Sequence, residues 1–168
     1  MVRKIHLYGD PVLREKAAPA GPVDADVREL AADLLDTLTS ADGVGLAAPQ
    51  IGVLRRLLAV HPPPDETGAR EEPRIYVDPE VLERSKEQES AEEGCLSIPG
   101  IYEQVRRPRE VLVRARDLDG KPFEVRVGGI VARILQHEID HLDGVLFVDR
   151  VGPMRRAMLK RRLRELQA

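Results

Sequence analysis

Leu135-Gln136-His137-Glu138-Ile139-Asp140-His141-Leu142 is the stretch on which the reading of this chain turns. On an α-helix, residues four apart stand one turn apart on the same face, so His137 and His141 aim two imidazoles at one point. Glu138 sits about 100° further round the helix and leans over that point without taking a ligand position. Two imidazoles beside a carboxylate that handles protons make the core of a metal-dependent hydrolase. The ordinary alternative is a pair of histidines on a wet helix face. The flanks speak against it, because Ile130, Ile134, Leu135, Ile139 and Leu142 spread apolar residues around much of the circumference. Such a helix is buried. Buried imidazoles and a buried carboxylate need partners, and a metal satisfies all three.

Working outward, Gly128-Gly129 opens this helix and Asp143-Gly144 closes it. Before it, residues 105–116 and 122–127 read as a hairpin turned at Asp119-Gly120. After it, 145–148 reads as a short buried strand, and Pro153 suits a first helical position. Met154, Met158, Leu159, Leu163 and Leu166 then form an apolar stripe on an otherwise basic helix carrying Arg155, Arg156, Lys160, Arg161, Arg162 and Arg164.

The first half of the chain opens with a turn-like segment, 5–20, containing Gly9-Asp10-Pro11 and pinned by Val12 and Leu13. A helix follows, capped by Asp24 or Asp26, with Val27, Leu30, Ala31, Leu34 and Leu38 at helical spacing. It is expected to end near Ala41 with Gly43 as the left-handed stop. Gly43-Val44-Gly45-Leu46-Ala47-Ala48-Pro49-Gln50 is an extended, close-packed loop in which glycines admit a ligand to the backbone and Gln50 offers an amide donor. Residues 54–60 read as a strand, 61–73 as an exposed Pro-rich loop, and 74–77 as a strand broken at Asp78-Pro79. The polar stretch 82–91 is an edge strand or a solvated ribbon. His6 and His61 lack ligand spacing.

Glu92-Glu93-Gly94-Cys95-Leu96-Ser97 holds the sole cysteine. A lone cysteine is often a small core residue. Here it stands upstream of a two-histidine helix that lacks a third ligand. A thiolate suits a divalent transition metal, so Cys95, His137 and His141 make a three-ligand centre with an open position, the catalytic pattern. One cysteine also excludes an intramolecular disulfide and fits a reducing cytoplasm. With 168 residues the chain is expected to form one domain. Net charge is −3, which gives no overall attraction to DNA or to membranes, and no apolar run is long enough to span a bilayer.

The order of Gly43-Val44-Gly45-Leu46-Ala47-Ala48-Pro49-Gln50, Glu93-Gly94-Cys95-Leu96-Ser97 and Gln136-His137-Glu138-Ile139-Asp140-His141 resembles the peptide deformylases, and the likeness runs over essentially the whole chain. It implies an α+β fold: small, mostly antiparallel sheets around a central metal-binding helix, with an N-terminal and a C-terminal helix, as one catalytic domain over 1–168. It implies removal of the N-formyl group from the formyl-methionine of nascent polypeptides, with release of formate. By the same resemblance, Cys95, His137 and His141 would bind Fe²⁺, with Zn²⁺, Ni²⁺ or Co²⁺ able to substitute. Glu138 would be base and acid, Gln50 and the Leu96 N–H would hold the oxyanion, and the Gly45 backbone would pair with substrate. Val44, Ile130 and Ile134 would line the methionine pocket. Asp78 stands before Pro79 where the family often has Asn, and the 61–73 loop is this chain's own. Two other classes remain open at this point: a zinc endopeptidase, and a structural-zinc module with a fourth protein ligand. The basic C-terminal helix is a candidate for docking on the ribosome.

Overall fold

A computed structural model describes residues 1–167. A short 3-10 turn, Pro11–Arg14, buries Leu13 near the start of the chain. Helix α1, Ala25–Ser40, follows. Of the two candidate caps, Asp24 is the one that accepts from the Val27 N–H, at 3.0 Å. The helix ends at Ala41, but the left-handed residue is Asp42 (φ 51) and not Gly43. Gly43 has a different constraint: a Cβ there would lie 2.9 Å from the side chains of Leu38 and Leu96.

The strands in chain order are β1 (Gly45–Ala47), β2 (Leu57–Val60), β3 (Arg74–Arg84), β4 (Gln88–Cys95), β5 (Ile98–Pro108), β6 (Glu110–Arg116) and β7 (Pro122–Gly128). Helix α2, Gly129–Leu142, and helix α3, Pro153–Gln167, complete the order. Five strands form one antiparallel sheet, β1-β2-β3-β6-β7, while β4 and β5 form a separate two-stranded sheet. The fold is α+β, as expected.

Strand side chains alternate between faces, and β2 shows what that does here. Leu58 and Val60 point into a cluster with Leu135 and Leu142 of α2; Leu57 and Ala59 point into a second cluster with Leu34 and Leu38 of α1. The two helices therefore cover opposite faces of the large sheet. A third cluster joins Ile98, Ile101 and Val105 of β5 to Leu159 and Leu163 of α3, with Leu13 and Phe147 between.

Several boundaries differ from the sequence expectation. The strand expected over 54–60 begins only at Leu57. Asp78-Pro79 does not break β3. The strand bulges there, with a register shift between Val77 and Glu80 and Asp78 at φ 50. Asp78 stabilises the bulge by accepting from the Ala20 N–H at 2.8 Å and pairing with Arg116. The polar stretch 82–91 is the end of β3 and the start of β4. Residues 105–116 are two strands, because the chain turns at Pro108 from the small sheet into the large one. The β6–β7 hairpin is as read, with Val113 opposite Val125. The strand expected over 145–148 is instead a 3-10 turn, Phe147–Asp149, whose Asp149 carboxylate accepts from the Leu146 N–H at 2.9 Å.

Candidate active site

Helix α2 lies against the sheet with His137, Glu138 and His141 all buried. The two imidazole rings are 5.1 Å apart. Cys95, at the end of β4, meets them, and one donor atom from each of Cys95, His137 and His141 lies within 4.8 Å of the others. The Cys95 Sγ is 3.4 Å from His141 Nε2. Among the described residues these three make up that close-set group.

The donor set fits a divalent transition metal on its chemistry, since a thiolate and two imidazoles suit iron or zinc and leave a position open. The arrangement of the next layer fits too. His137 turns its Nδ1 to Glu93 Oε1 at 2.9 Å, which fixes the ring with Nε2 free for the centre. Glu138 Oε1 is buried without a hydrogen-bond partner, an arrangement that is unfavourable unless a ligand or substrate completes it.

Electrostatics follow from these contacts. Burial would raise the Glu93 carboxyl, but hydrogen bonds from His137 and Arg107 outweigh it and hold the group at about 2. Arg107 binds Glu93 at 2.6 and 3.0 Å, and Arg133 adds a contact of 2.7 Å. Burial disfavours a charged His137, yet the nearby Glu138, Cys95 and Glu93 raise it well above the ordinary histidine value. Burial and the charge of His137 drive His141 the opposite way. Burial pushes the Glu138 carboxyl up to about 7 against the pull of His137.

The remaining expected residues converge here. Gln50 sits in the buried 3-10 turn Ala48–Ile51 and accepts from the Ala47 N–H at 2.9 Å. That bond leaves its amide Nε2 to donate to Ser97 Oγ at 3.1 Å and Cys95 Sγ at 3.5 Å. Gly45 is the point of closest approach: a Cβ there would lie 2.5 Å from Glu138 Oε2, so only glycine admits the carboxylate. Val44, Gly45, Leu96, Ile130 and Ile134 line a cavity of about 430 Å³ with Gln50, Cys95, His137 and Glu138.

Some residues of the site were not singled out from sequence. Glu93, Arg133 and Tyr102 also line the cavity, and Arg107 and Asp140 brace it with a 2.9 Å ion pair. Glu93 lies two residues before Cys95 on β4, but a register irregularity between them breaks the simple alternation that would have pointed to it. Arg107 gives no local signal either, being one of two adjacent arginines in the stretch read as one arm of a hairpin. His6 and His61 stand apart: His6 pairs with Asp10 at 2.5 Å, and neither belongs to the close-set group.

Comparison with known proteins agrees with this geometry. The polypeptide deformylase family model matches residues 2–157. The peptide deformylase of Thermomicrobium roseum is 53% identical over 152 residues, covering 89% of this chain and 86% of that protein. The crystal structure of a peptide deformylase from Legionella pneumophila superposes with a TM-score of 0.87 at 44% identity, covering 98% of this chain and 95% of that one. The Met-Ala-Ser-bound crystal structure of class I type b peptide deformylase from Acinetobacter baumannii does so at 0.85 and 36% identity, covering 90% and 99%. With a family match over nearly its whole length and a Cys-His-His cluster beside a buried glutamate, the chain belongs to the polypeptide deformylase family.

Proposed function

We propose that this chain, acting as one catalytic domain, removes the formyl group from N-formylated nascent peptides and releases formate. The observation that carries the reading is the convergence of Cys95, His137 and His141 beside Glu138 at the free edge of β1, inside an apolar-walled cavity. Cys95, His137 and His141 would hold the metal, Fe²⁺ by family likeness, with Zn²⁺, Ni²⁺ or Co²⁺ as substitutes. When bound, it supplies Lewis acidity and a water acidic enough to ionise near neutral pH.

The chain's own residues do the rest. Glu138 accepts the proton of the attacking water, for which its carboxylate must be ionised, and returns it to the leaving amine nitrogen. Gln50 Nε2 and the Leu96 N–H donate to the formyl oxygen as negative charge grows there; losing one such donor typically lowers the rate ~100- to 1000-fold. Glu93 holds the His137 ring in place. Val44, Ile130 and Ile134 receive the methionine side chain, and the exposed Val44 and Ile130 form the mouth.

The family likeness to a Met-Ala-Ser-bound relative supports a peptide laid along β1, which pairs with β2 on one side only. The sole cysteine fits a reducing cytoplasm. Among the described residues no helix is long and apolar enough to cross a membrane. Ribosome docking through α3 is supported by its charge, but much of that charge is engaged. Arg155 pairs with Glu103 at 2.6 Å, Arg156 with Asp149 at 3.1 Å, and Arg162 donates to the Gly100 carbonyl at 2.6 Å. Arg161 lies 3.6 Å from Glu165 on the exposed face, and among the described residues Lys160 and Arg164 are the α3 cations without an ion pair or such a hydrogen bond.

The test compares formyl-Met-Ala-Ser with acetyl-Met-Ala-Ser, using protein purified without oxygen. The space between Gly45, Leu96 and Glu138 accepts hydrogen on the reacting carbon and crowds a methyl, so formate release is expected far to exceed acetate release. Equal rates on the two peptides contradict the proposal.

A further inference from the structure

The segment that forms the lip of the cavity and the loop between β2 and β3 meet at one side chain. Arg70 Nε donates to the Pro62 carbonyl at 2.8 Å, and its Nη2 donates to the carbonyls of Gly43 at 3.2 Å and His61 at 3.3 Å. The side chain is 25% exposed, so these bonds are partly sheltered from water. The nearby Asp42 carboxylate, 3.8 Å away and 93% exposed, adds little.

The segment Arg70 grips is costly to order. Gly43 and Gly45 flank Val44, and glycine loses more conformational freedom on ordering than any other residue. Backbone contacts restrain it in part: the Gly43 N–H donates to Leu38 at 3.1 Å, the His61 N–H to Val44 at 2.7 Å, and Gly45 stands opposite Val60 where β1 pairs with β2. Arg70 takes the Gly43 carbonyl, just after Asp42 in its left-handed conformation.

The edge of β1 away from β2 faces the cavity, and Asp42 to Gly45 form its lip. A peptide laid there extends the sheet through backbone hydrogen bonds. Any ordering of the lip that binding must impose is subtracted from affinity, and ordering done beforehand is not. We infer that Arg70 is a positioning residue that pre-orders the 43–45 edge for the backbone of a peptide substrate, favouring formylated peptides over formyl-methionine alone. The inference rests on the deformylase reading and names what that reading leaves open, the basis for recognition beyond the first residue.

The test measures kcat and KM for the parent chain, Arg70→Ala and Arg70→Lys, with formyl-Met-Ala-Ser and with formyl-Met. A hydrogen bond from a charged donor corresponds to about tenfold or more in binding. Arg70→Ala is therefore expected to raise KM for the tripeptide about tenfold relative to any change for formyl-Met, with kcat largely kept. Lysine retains the charge but reaches fewer carbonyls, so Arg70→Lys should fall between. Should Arg70→Ala misfold and lose both substrates equally, Arg70→Lys decides: a lower tripeptide preference than the parent supports the inference, and an equal preference overturns it. An unchanged preference in a folded Arg70→Ala also overturns it. A parent chain that releases no formate from either compound refutes the deformylase reading itself, a different result from an unchanged preference.

Discussion

At Glu93 one buried carboxylate accepts from His137, Arg107 and Arg133 together. Its folded value of about 2 lies below the ordinary 4.5, so its contribution to stability is complete above pH 4.5 and is lost as the pH falls toward 2. At about 1.4 kcal/mol per unit, that contribution is on the order of 3 kcal/mol. Urea unfolding of the metal-stripped chain across this range should therefore show a steeper acid decline in the parent than in Glu93→Gln; parallel declines would count against the account. Glu138 has a different task. Its Oε1 is unpartnered and it stands outside the Cys-His-His group, which supports the proposal that it moves protons and does not hold metal. Glu138→Gln should keep metal content while formate release falls about 100- to 10,000-fold, the range for one positioned acid–base group. Loss of metal together with activity would make it a support instead. His137, Glu138 and His141 could be read together because helical spacing is a local fact, and Cys95 because it is the chain's sole thiol. Glu93 and Arg107 could not, because their partners lie 44 and 33 residues away, at His137 and Asp140.

Among the elements, α2 is the one its sequence describes best, since apolar residues on nearly every side require a buried helix. The misread elements fail for physical reasons. Apolar residues at 145–148 pack as a 3-10 turn because the Asp149 carboxylate caps the Leu146 N–H and competes with an extended chain. Asp42, not Gly43, takes the left-handed turn because Asp tolerates that region and Gly43 is spent on close packing against Leu38 and Leu96. In α3 the five-residue stripe is only partly used: Leu159 and Leu163 are buried, whereas Met154 and Met158 are 79% and 64% exposed. Leu159→Ala is expected to lower unfolding free energy by about 2–5 kcal/mol, and Met158→Ala to change it by less than about 0.5 kcal/mol. Denaturant titration of the two variants separates them, and equal losses would show that Met158 is covered in solution.

Across the whole molecule, the α+β class could be read from the sequence, but the partition of strands could not. Nothing local says that β4 and β5 leave the main sheet, because the chain passes directly from β5 at Pro108 to β6 at Glu110. Yet that partition brings Cys95, on the small sheet, to α2, which packs on the large one. The centre therefore ties two layers together. A metal present at about 100 times its dissociation constant would add about 2.7 kcal/mol to stability. The most direct measurement titrates Fe²⁺, without oxygen, into chelator-stripped protein while recording formate release from formyl-Met-Ala-Ser. The account predicts that release starts near zero, rises in proportion to added metal and stops rising at one ion per chain, with no such rise in Cys95→Ala. Full release by the stripped chain, or an undiminished rise in Cys95→Ala, would contradict it.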